Sequence, residues 1–299
     1  MADKGVEKRH SETALVAAIY RAIAYRDFNK EALAPDYLAD HFLPPHIRFF
    51  LKFKKVRANG RKKTDKFTPG MYEYMVARTA FFDGLFKDAL EKSIPQIVLL
   101  GGGYDTRAFR FAKANQATTI FELDIETTQK RKKKCLAKAQ IDVPKQVKLL
   151  PIDFNRESLI DVLGKAGFET DKKTLFIWEG VIYYLEPPSI DATLEFVKTH
   201  SPANSTIAFD YSLTITEQNM KGHFGAETFI ETWKKYRKNE SFKFTLEDGQ
   251  LDSFLKERGL QPEAHYDHQQ IADTFLPTEK TEFVGQISGM FSFAVASNN

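Results

Sequence analysis

Three glycines in a row, Gly101-Gly102-Gly103, end the apolar run at 97–100 and lead into Tyr104-Asp105-Thr106-Arg107. Glycine reaches positive φ at no steric cost and lets a ligand lie directly on the backbone. At the carboxyl edge of a parallel sheet such a turn holds nucleotides, although a tight strand-to-helix turn with no ligand uses the same residues. The next apolar run ends in Phe121-Glu122-Leu123-Asp124, which sets carboxylates 19 and 21 residues beyond Gly103. An acid about 20 residues after the glycines is placed to grip ribose hydroxyls. A carboxylate is a pure acceptor and suits two vicinal donors. Thr106 occupies the place of the third glycine in the dinucleotide pattern G-x-G-x-x-G. A pyrophosphate needs the close helix N-terminus which that glycine permits. A nucleoside without phosphates does not, so the pattern favours S-adenosylmethionine over NAD.

These residues need a sheet to hold them. Short apolar runs at 96–100, 118–123, 147–151, 175–178 and 206–211 lack strict alternation, as strands do when helices cover both faces. Between them lie helix-length segments at 106–114, 126–140, 156–166 and 188–199, the order of a parallel α/β sheet. Upstream, Ala14, Leu15, Ala18, Ile19, Ala22 and Ile23 recur at helical spacing behind Ser11 as a cap, and Pro44-Pro45 breaks the helical region 11–50. The polar, basic stretch 57–66 reads as an exposed loop turning at Asn59-Gly60, and helical periodicity resumes over 69–89. Downstream, about 35 polar residues containing Trp233 and Tyr236 interrupt the alternation. A helix at 246–258 ending at Gly259 follows, then strand-like runs at 262–266 and 289–296. The expected fold is a doubly wound, mostly parallel seven-stranded α/β sheet of the Rossmann-like kind. Residues 1–90 form a helical cap, and residues 91–299 an α/β domain with a substrate-covering insertion at 212–245, all in one structural unit.

Composition narrows the function classes. Hydrophobic residues at 42% and charged residues at 28% match a folded globular chain. The net charge of +3 is too small to point to nucleic acid. A single cysteine, Cys135, rules out an internal disulfide and agrees with a reducing cytoplasm. The N-terminus lacks the apolar core of a signal peptide, and no apolar run approaches the ~18 residues of a membrane span. The expectation is a soluble cytoplasmic protein with no nucleic-acid or membrane partner. The lysines of 130–134 read as a solvated helix face. The 52–66 region is either an exposed loop or a lure for an acidic substrate or phosphate. His265-x-x-His268 lacks partners at ligand spacing, so no metal is expected. No G-x-S-x-G nucleophile motif occurs.

Five ordered segments together resemble the leucine carboxyl methyltransferase family, including its bacterial O-methyltransferase branch. They are Ala77-Arg78-Thr79-Ala80-Phe81-Phe82-Asp83, the glycine turn through Arg107, Phe121-Glu122-Leu123-Asp124, Pro151-Ile152-Asp153-Phe154, and Trp178-Glu179-Gly180-Val181-Ile182-Tyr183-Tyr184-Leu185. The resemblance spans roughly residues 11–297 and implies S-adenosylmethionine as cofactor and S-adenosylhomocysteine as product. It implies that Arg78 holds the cofactor carboxylate, a pairing which a guanidinium fork suits. Gly101 and Gly103 would admit the methionine portion, and Asp124, with Glu122 second, would bind the ribose. Asp153 would accept from the adenine amino group with Phe154 packed by the ring. Glu179 would face the cofactor's amino end and the substrate space, which Tyr184 would line. Arg21, in the first helix, is a further candidate for the cofactor carboxylate or an acidic substrate. Each has a plainer reading: Arg78 as an ion-pair partner, Asp153 as a turn residue, Glu179 as a helix cap, Tyr184 as a wall.

The expected activity is methyl transfer to a carboxylate or hydroxyl of a small molecule. A protein C-terminal carboxylate, or a non-catalytic protein that binds the cofactor or its product, remain alternatives. A carboxylate is already ionised near neutral pH, whereas a hydroxyl acceptor needs a base, for which His223 and His265 are candidates by location. A nucleic-acid methyltransferase would carry an Asn-Pro-Pro-Tyr-like motif where this chain has Glu179-Gly180-Val181-Ile182.

Overall fold

Ile97 to Leu100 offer no polar residue for a solvent face, so a strand here requires cover on both sides. In the computed structural model all five residues of Gln96–Leu100 are buried. The structure describes residues 12–28, 34–154, 156–236, 242–277 and 285–298. Four helices come first: α1 (Glu12–Phe28), α2 (Pro45–Phe50), α3 (Lys54–Asp65) and α4 (Met71–Glu91). Strands and helices then alternate through β1 (Gln96–Leu100), α5 (Arg107–Arg110), β2 (Thr119–Asp124), α6 (Glu126–Lys138) and β3 (Val147–Pro151). The alternation continues with α7 (Leu159–Lys165), β4 (Thr174–Trp178), α8 (Pro187–Thr199) and β5 (Thr206–Ser212). The remainder is α9 (Ala226–Tyr236), α10 (Leu251–Lys256), β6 (Leu260–Tyr266), α11 (His268–Phe275) and β7 (Phe291–Asn298).

The seven strands form one sheet in the order β3-β2-β1-β4-β5-β7-β6. The first five run parallel, and β7 lies antiparallel between β5 and β6. Strand order reverses between β1 and β4, so their carboxyl ends flank the crevice where such sheets bind ligands. At the edge, β6 follows its buried Leu260 with alternating exposed and half-buried residues, as a strand with one wet face does.

Aromatic stacking seats α4 on the antiparallel end. Tyr74 stacks on Phe291 at 4.3 Å between ring centroids, and Phe81 stacks on Phe293 at 4.7 Å. Phe275 of α11 meets both Phe81 and Phe293.

Three segments differ from the sequence reading. The supposed loop at 57–66 is helix α3, because arginine and lysine are good helix formers and tertiary bonds hold the turn. Arg57 is drawn inside, donating to Asp27 at 2.7 Å and to the Leu51 carbonyl at 2.8 Å. Arg61 lies 4.0 Å over the Tyr72 ring. The helix expected at 246–258 shrinks to α10, because Gly249 at φ +77° interrupts it and Leu246 bridges to Leu213 in extended conformation. The helix expected at 106–114 is only α5. Asn115 exchanges two 2.9 Å bonds with the Thr118 backbone and so fixes a turn into β2. Ser11 and the side chains of Trp233 and Tyr236 lie outside the described residues.

Phe293 is fully buried at the meeting of α4, α11 and the sheet. Phe293→Ala should cost about 3–5 kcal/mol of stability, read as a lower urea midpoint with an unchanged slope.

Candidate cofactor-binding site

The glycine turn is compressed from three sides, and each glycine answers to a different neighbour. Gly101 and Gly102 both donate to the Leu123 carbonyl, at 2.9 and 2.8 Å, which folds the turn back over β2. A Cβ on Gly101, at φ +77°, would strike Val181 at 2.4 Å, and one on Gly102 would strike Glu122 at 2.4 Å. Gly103, at φ +51°, lies beneath Ala14 of α1, 3.1 Å from where its Cβ would stand. The turn is thus bracketed by the loop after β4, by β2, and by the first helix.

The two carboxylates of β2 have different fates, although they share a strand face. Asp124 stands at the strand end and accepts from the Gly103 N–H at 2.6 Å and the Ile125 N–H at 2.7 Å. Burial raises its carboxyl above the ordinary value despite those bonds. The Thr128 side chain is a third hydrogen-bond partner, and a carboxylate with about four acceptor sites still has room for a further donor. Glu122, one pleat deeper, is fully buried and pairs with Lys132 of α6 at 2.6 Å. Lys132 also donates to the Asp105 carbonyl at 2.5 Å. Burial pushes the Glu122 carboxyl up to about 7, with Lys132 offsetting only part of it. Glu122 therefore acts from below, as a prop under the turn.

Arg78, two turns into α4, is buried against the ends of β4 and β5. It donates to Glu179 at 3.0 Å, to Asp210 at 3.2 Å and to the Tyr183 hydroxyl at 3.3 Å. Burial alone would discharge a guanidinium, but Asp210 and Glu179 hold this one firmly protonated. Gly180, at φ +73°, gives its N–H to Asp210 at 2.6 Å, and a Cβ there would press on Arg78 at 3.1 Å.

The other oxygen of Glu179 accepts from Arg107 at 2.7 Å. Arg107 donates at 2.8 Å to Asp83 and also binds Asp105. Arg110 takes both oxygens of Asp83, at 2.6 and 2.7 Å, and lies 3.6 Å from Asp36. Asp36 accepts from Arg21 at 2.8 Å, and Arg21 closes the chain by donating at 2.7 Å to the Tyr104 carbonyl of the glycine turn. Burial would raise the Asp36 carboxyl, but Arg110 and Arg21 together hold it below its usual value.

The structure thus brings Arg78, Glu179, Gly101, Gly103 and Asp124 to one sheet edge. Arg21 reaches that edge through Asp36 and Tyr104. Asp153 and Phe154 follow β3, whose continuation bonds to β2 where the Ile152 N–H meets the Asp124 carbonyl at 2.9 Å. Asp153 is partly exposed and pairs with Arg156 at 3.4 Å, while Phe154 packs on the core. Tyr184 ends a short 3-10 turn after β4, its ring 4.7 Å from Tyr183 and 5.7 Å from Phe242. His223 bonds the Gly289 carbonyl at 2.8 Å and His265 the Tyr211 hydroxyl at 3.0 Å.

Sequence reasoning gave no role to Asp210, Asp83, Asp36, Arg107 or Arg110, and it read Lys132 with its neighbours as a solvated face, whereas the structure buries Lys132 completely because its ammonium pairs with Glu122 beneath the turn. A signal existed for three of them. Asp210 is a lone acid inside an apolar strand, and Arg107 and Arg110 share a helix face at i, i+3. The set suits a zwitterionic amino-acid group: Arg78 is a fork for a carboxylate, and Glu179 an acceptor for an ammonium. The Cβ-free turn suits a nucleoside lying on the backbone, with Asp124 at its rim. Among the described residues no group of three or more His, Cys, Asp or Glu could hold a metal ion.

A family model described as leucine carboxyl methyltransferase matches residues 14–198. Two relatives carry the name "Putative S-adenosyl-L-methionine-dependent methyltransferase". One, YktD of Bacillus subtilis (strain 168), is 27% identical over 207 residues, covering 69% of this chain and 66% of that protein. The other, of Mycobacterium sp. (strain JLS), is 27% identical over 274 residues, covering 84% of each. Among solved structures, a duf574 family protein from Streptomyces avermitilis superposes with a TM-score of 0.60 at 11% identity, covering 95% of this chain and 97% of that one. A "putative methyltransferase from Thermobifida fusca YX" gives 0.59 at 13% identity, covering 95% and 94%. Both share the fold.

The Glu122–Lys132 pair makes two predictions. Lys132→Met strands a buried carboxylate and should cost about 3–5 kcal/mol at neutral pH, measured by urea unfolding. Folded Glu122 keeps its proton up to about 7, whereas the unfolded chain releases it near 4.5. The folded state binds more protons between those values, so stability falls as pH rises through that window. Glu122→Gln should remove this component. Identical pH slopes for the two proteins would refute it.

Proposed function

This chain belongs to the leucine carboxyl methyltransferase family and is an S-adenosylmethionine-dependent methyltransferase, and from that premise we propose that it methylates an oxygen, foremost a carboxylate, of a small-molecule acceptor. One observation carries the preference for a carboxylate. The ionisable groups gathered at the β4 and β5 ends are committed to one another. Asp210 is held by Tyr74, Arg78 and the Gly180 N–H, and Glu179 by two arginines. Burial raises the Tyr74 and Tyr183 hydroxyls well above the ordinary phenol value. A cluster so engaged is a poor proton acceptor, and an acceptor that arrives ionised needs none.

Bound S-adenosylmethionine supplies an electrophilic methyl carbon on a sulfonium and leaves as S-adenosylhomocysteine. In this reading Arg78 takes the cofactor carboxylate and Glu179 its ammonium, each giving up part of the bond it now makes to the other. Gly101 and Gly103 let the amino-acid portion lie on the turn. Asp124 receives the ribose hydroxyls, Asp153 the adenine amino group, and Phe154 flanks the ring. Tyr184 and Phe242 wall off water on the acceptor side, which strengthens every charge inside. The protein's main catalytic work is alignment of acceptor and methyl carbon, a contribution worth up to ~7–11 kcal/mol.

Two measurements test this. Arg78→Lys and Asp124→Ala should each weaken S-adenosylmethionine and S-adenosylhomocysteine at least ~10-fold by calorimetry, with circular dichroism unchanged and NAD silent throughout. Unchanged affinity in both folded variants sinks the site assignment. Transfer of labelled methyl to a panel of carboxylic acids should yield base-labile esters at a rate flat from pH 6 to 8. A rate rising about tenfold per pH unit with phenol or alcohol acceptors would overturn the carboxylate reading. Labelling confined to peptide C-termini would overturn the small-molecule reading, and tight binding without turnover would leave a cofactor-binding protein.

A further inference from the structure

Residues 41–64 contain eight lysines and arginines and not one aspartate or glutamate, in a chain whose net charge is only +3. The structure sorts these cations into two kinds. Arg57 and Arg61 turn inward to Asp27, and Arg61 also lies 3.9 Å from Glu73, which pins α3 to α1 and α4. Lys52, Lys54 and Lys55 stay exposed at the junction of α2 and α3. Interleaved with them are Phe49, Phe50 and Phe53, at 54%, 52% and 50% exposure, the largest values among the exposed apolar residues of the described chain. Phe49 meets Phe50 at 5.7 Å and Phe53 at 5.5 Å, in edge-on contacts that gather the three rings into one cluster.

Leu51, between them, is buried, so the turn points its phenylalanines outward while a neighbouring leucine fixes it to the core. Exposed apolar clusters of this kind, rimmed by charge of one sign, mark interaction surfaces. We propose that the α2–α3 junction is an interfacial binding surface for membranes with anionic headgroups. Three exposed aromatic rings and three exposed lysines within seven residues offer both chemistries on one short stretch of surface. A bilayer answers both at once, with an anionic layer at the surface and hydrocarbon just beneath. Lysine stems reach back to the headgroups while neighbouring rings sit deeper. An acidic protein would answer the lysines but leave three phenylalanines to find separate pockets. Among the described residues no helix is long and apolar enough to cross a membrane, so the contact is peripheral. The sequence-based expectation of no membrane partner rested on spans alone and does not bear on such a surface.

The experiment is co-sedimentation of the full chain with vesicles of phosphatidylcholine alone and of phosphatidylcholine mixed equally with phosphatidylglycerol. Binding to the mixed vesicles only, weakening as salt rises, is expected. Lys52→Glu/Lys54→Glu/Lys55→Glu should lower partitioning at least ~100-fold, and Phe49→Ser/Phe50→Ser/Phe53→Ser at least ~10-fold. Both variants should keep the wild-type circular dichroism and S-adenosylmethionine affinity, because none of these side chains lies at the cofactor site. No binding to anionic vesicles at low salt overturns the proposal. So does binding indifferent to the phenylalanine changes, or equal affinity for polyglutamate, either of which would make the patch a general acid-binding surface.

Discussion

Glu179 is shared between two buried arginines, and the geometry of the whole carboxyl edge follows from that sharing. Its two oxygens hold Arg78 of α4 and Arg107 at the start of α5. From Arg107 the pairing runs through Asp83, Arg110, Asp36 and Arg21 back to the glycine turn at Tyr104. Every member is largely out of water, and removing one leaves its partner charged and unpaired, which is far costlier than never having buried the pair. The network therefore specifies position more than it adds stability. It registers α1 and α4 against the ends of β1, β4 and β5, the elements that contribute to the proposed site. In the proposed assignment, a zwitterionic group would enter by exchanging its own charges for the bond between Arg78 and Glu179.

The sheet and its order of elements were legible because they rest on local signals. Continuous apolar runs, glycines at the first turn and helix-length spacers each act over a few residues. The geometry of the candidate site was legible where a residue's position follows from its place along a strand: the glycines, Asp124 at the end of β2, Glu179 after β4. Glu122 was legible as a carboxylate but not as a buried one, because its depth depends on Lys132, ten residues on and across a turn. Asp83 and Asp36 could not be read at all. Their meaning is pairwise, and the pairs join segments far apart in the chain.

Helix α3 shows the same limit from the other side. Polar composition and Asn59-Gly60 read locally as a loop. What makes it a helix is Arg57 reaching Asp27 and Arg61 covering Tyr72, both tertiary contacts. Arginine's planar fork tolerates burial against a carboxylate or a ring, whereas lysine's compact ammonium holds its water. The separation of inward arginines from outward lysines along one short stretch is this difference in hydration made visible.

The place of β7 in the sheet governs the order in which the molecule can be made. It is the only strand joining β5 to β6, and its Phe291 and Phe293 are what Tyr74 and Phe81 of α4 stack upon. A ribosome releases α4 long before β7. The aromatic face of that helix must wait, uncovered, while most of the chain is synthesised. Closing the sheet is then one long-range event that pays its loop entropy late. Until it happens the nascent chain carries an open strand edge and a sticky helix, the two features by which partly folded chains associate. The fold therefore completes only after synthesis has passed its final strand, and shielding α4 in the interval is a task left to the cell.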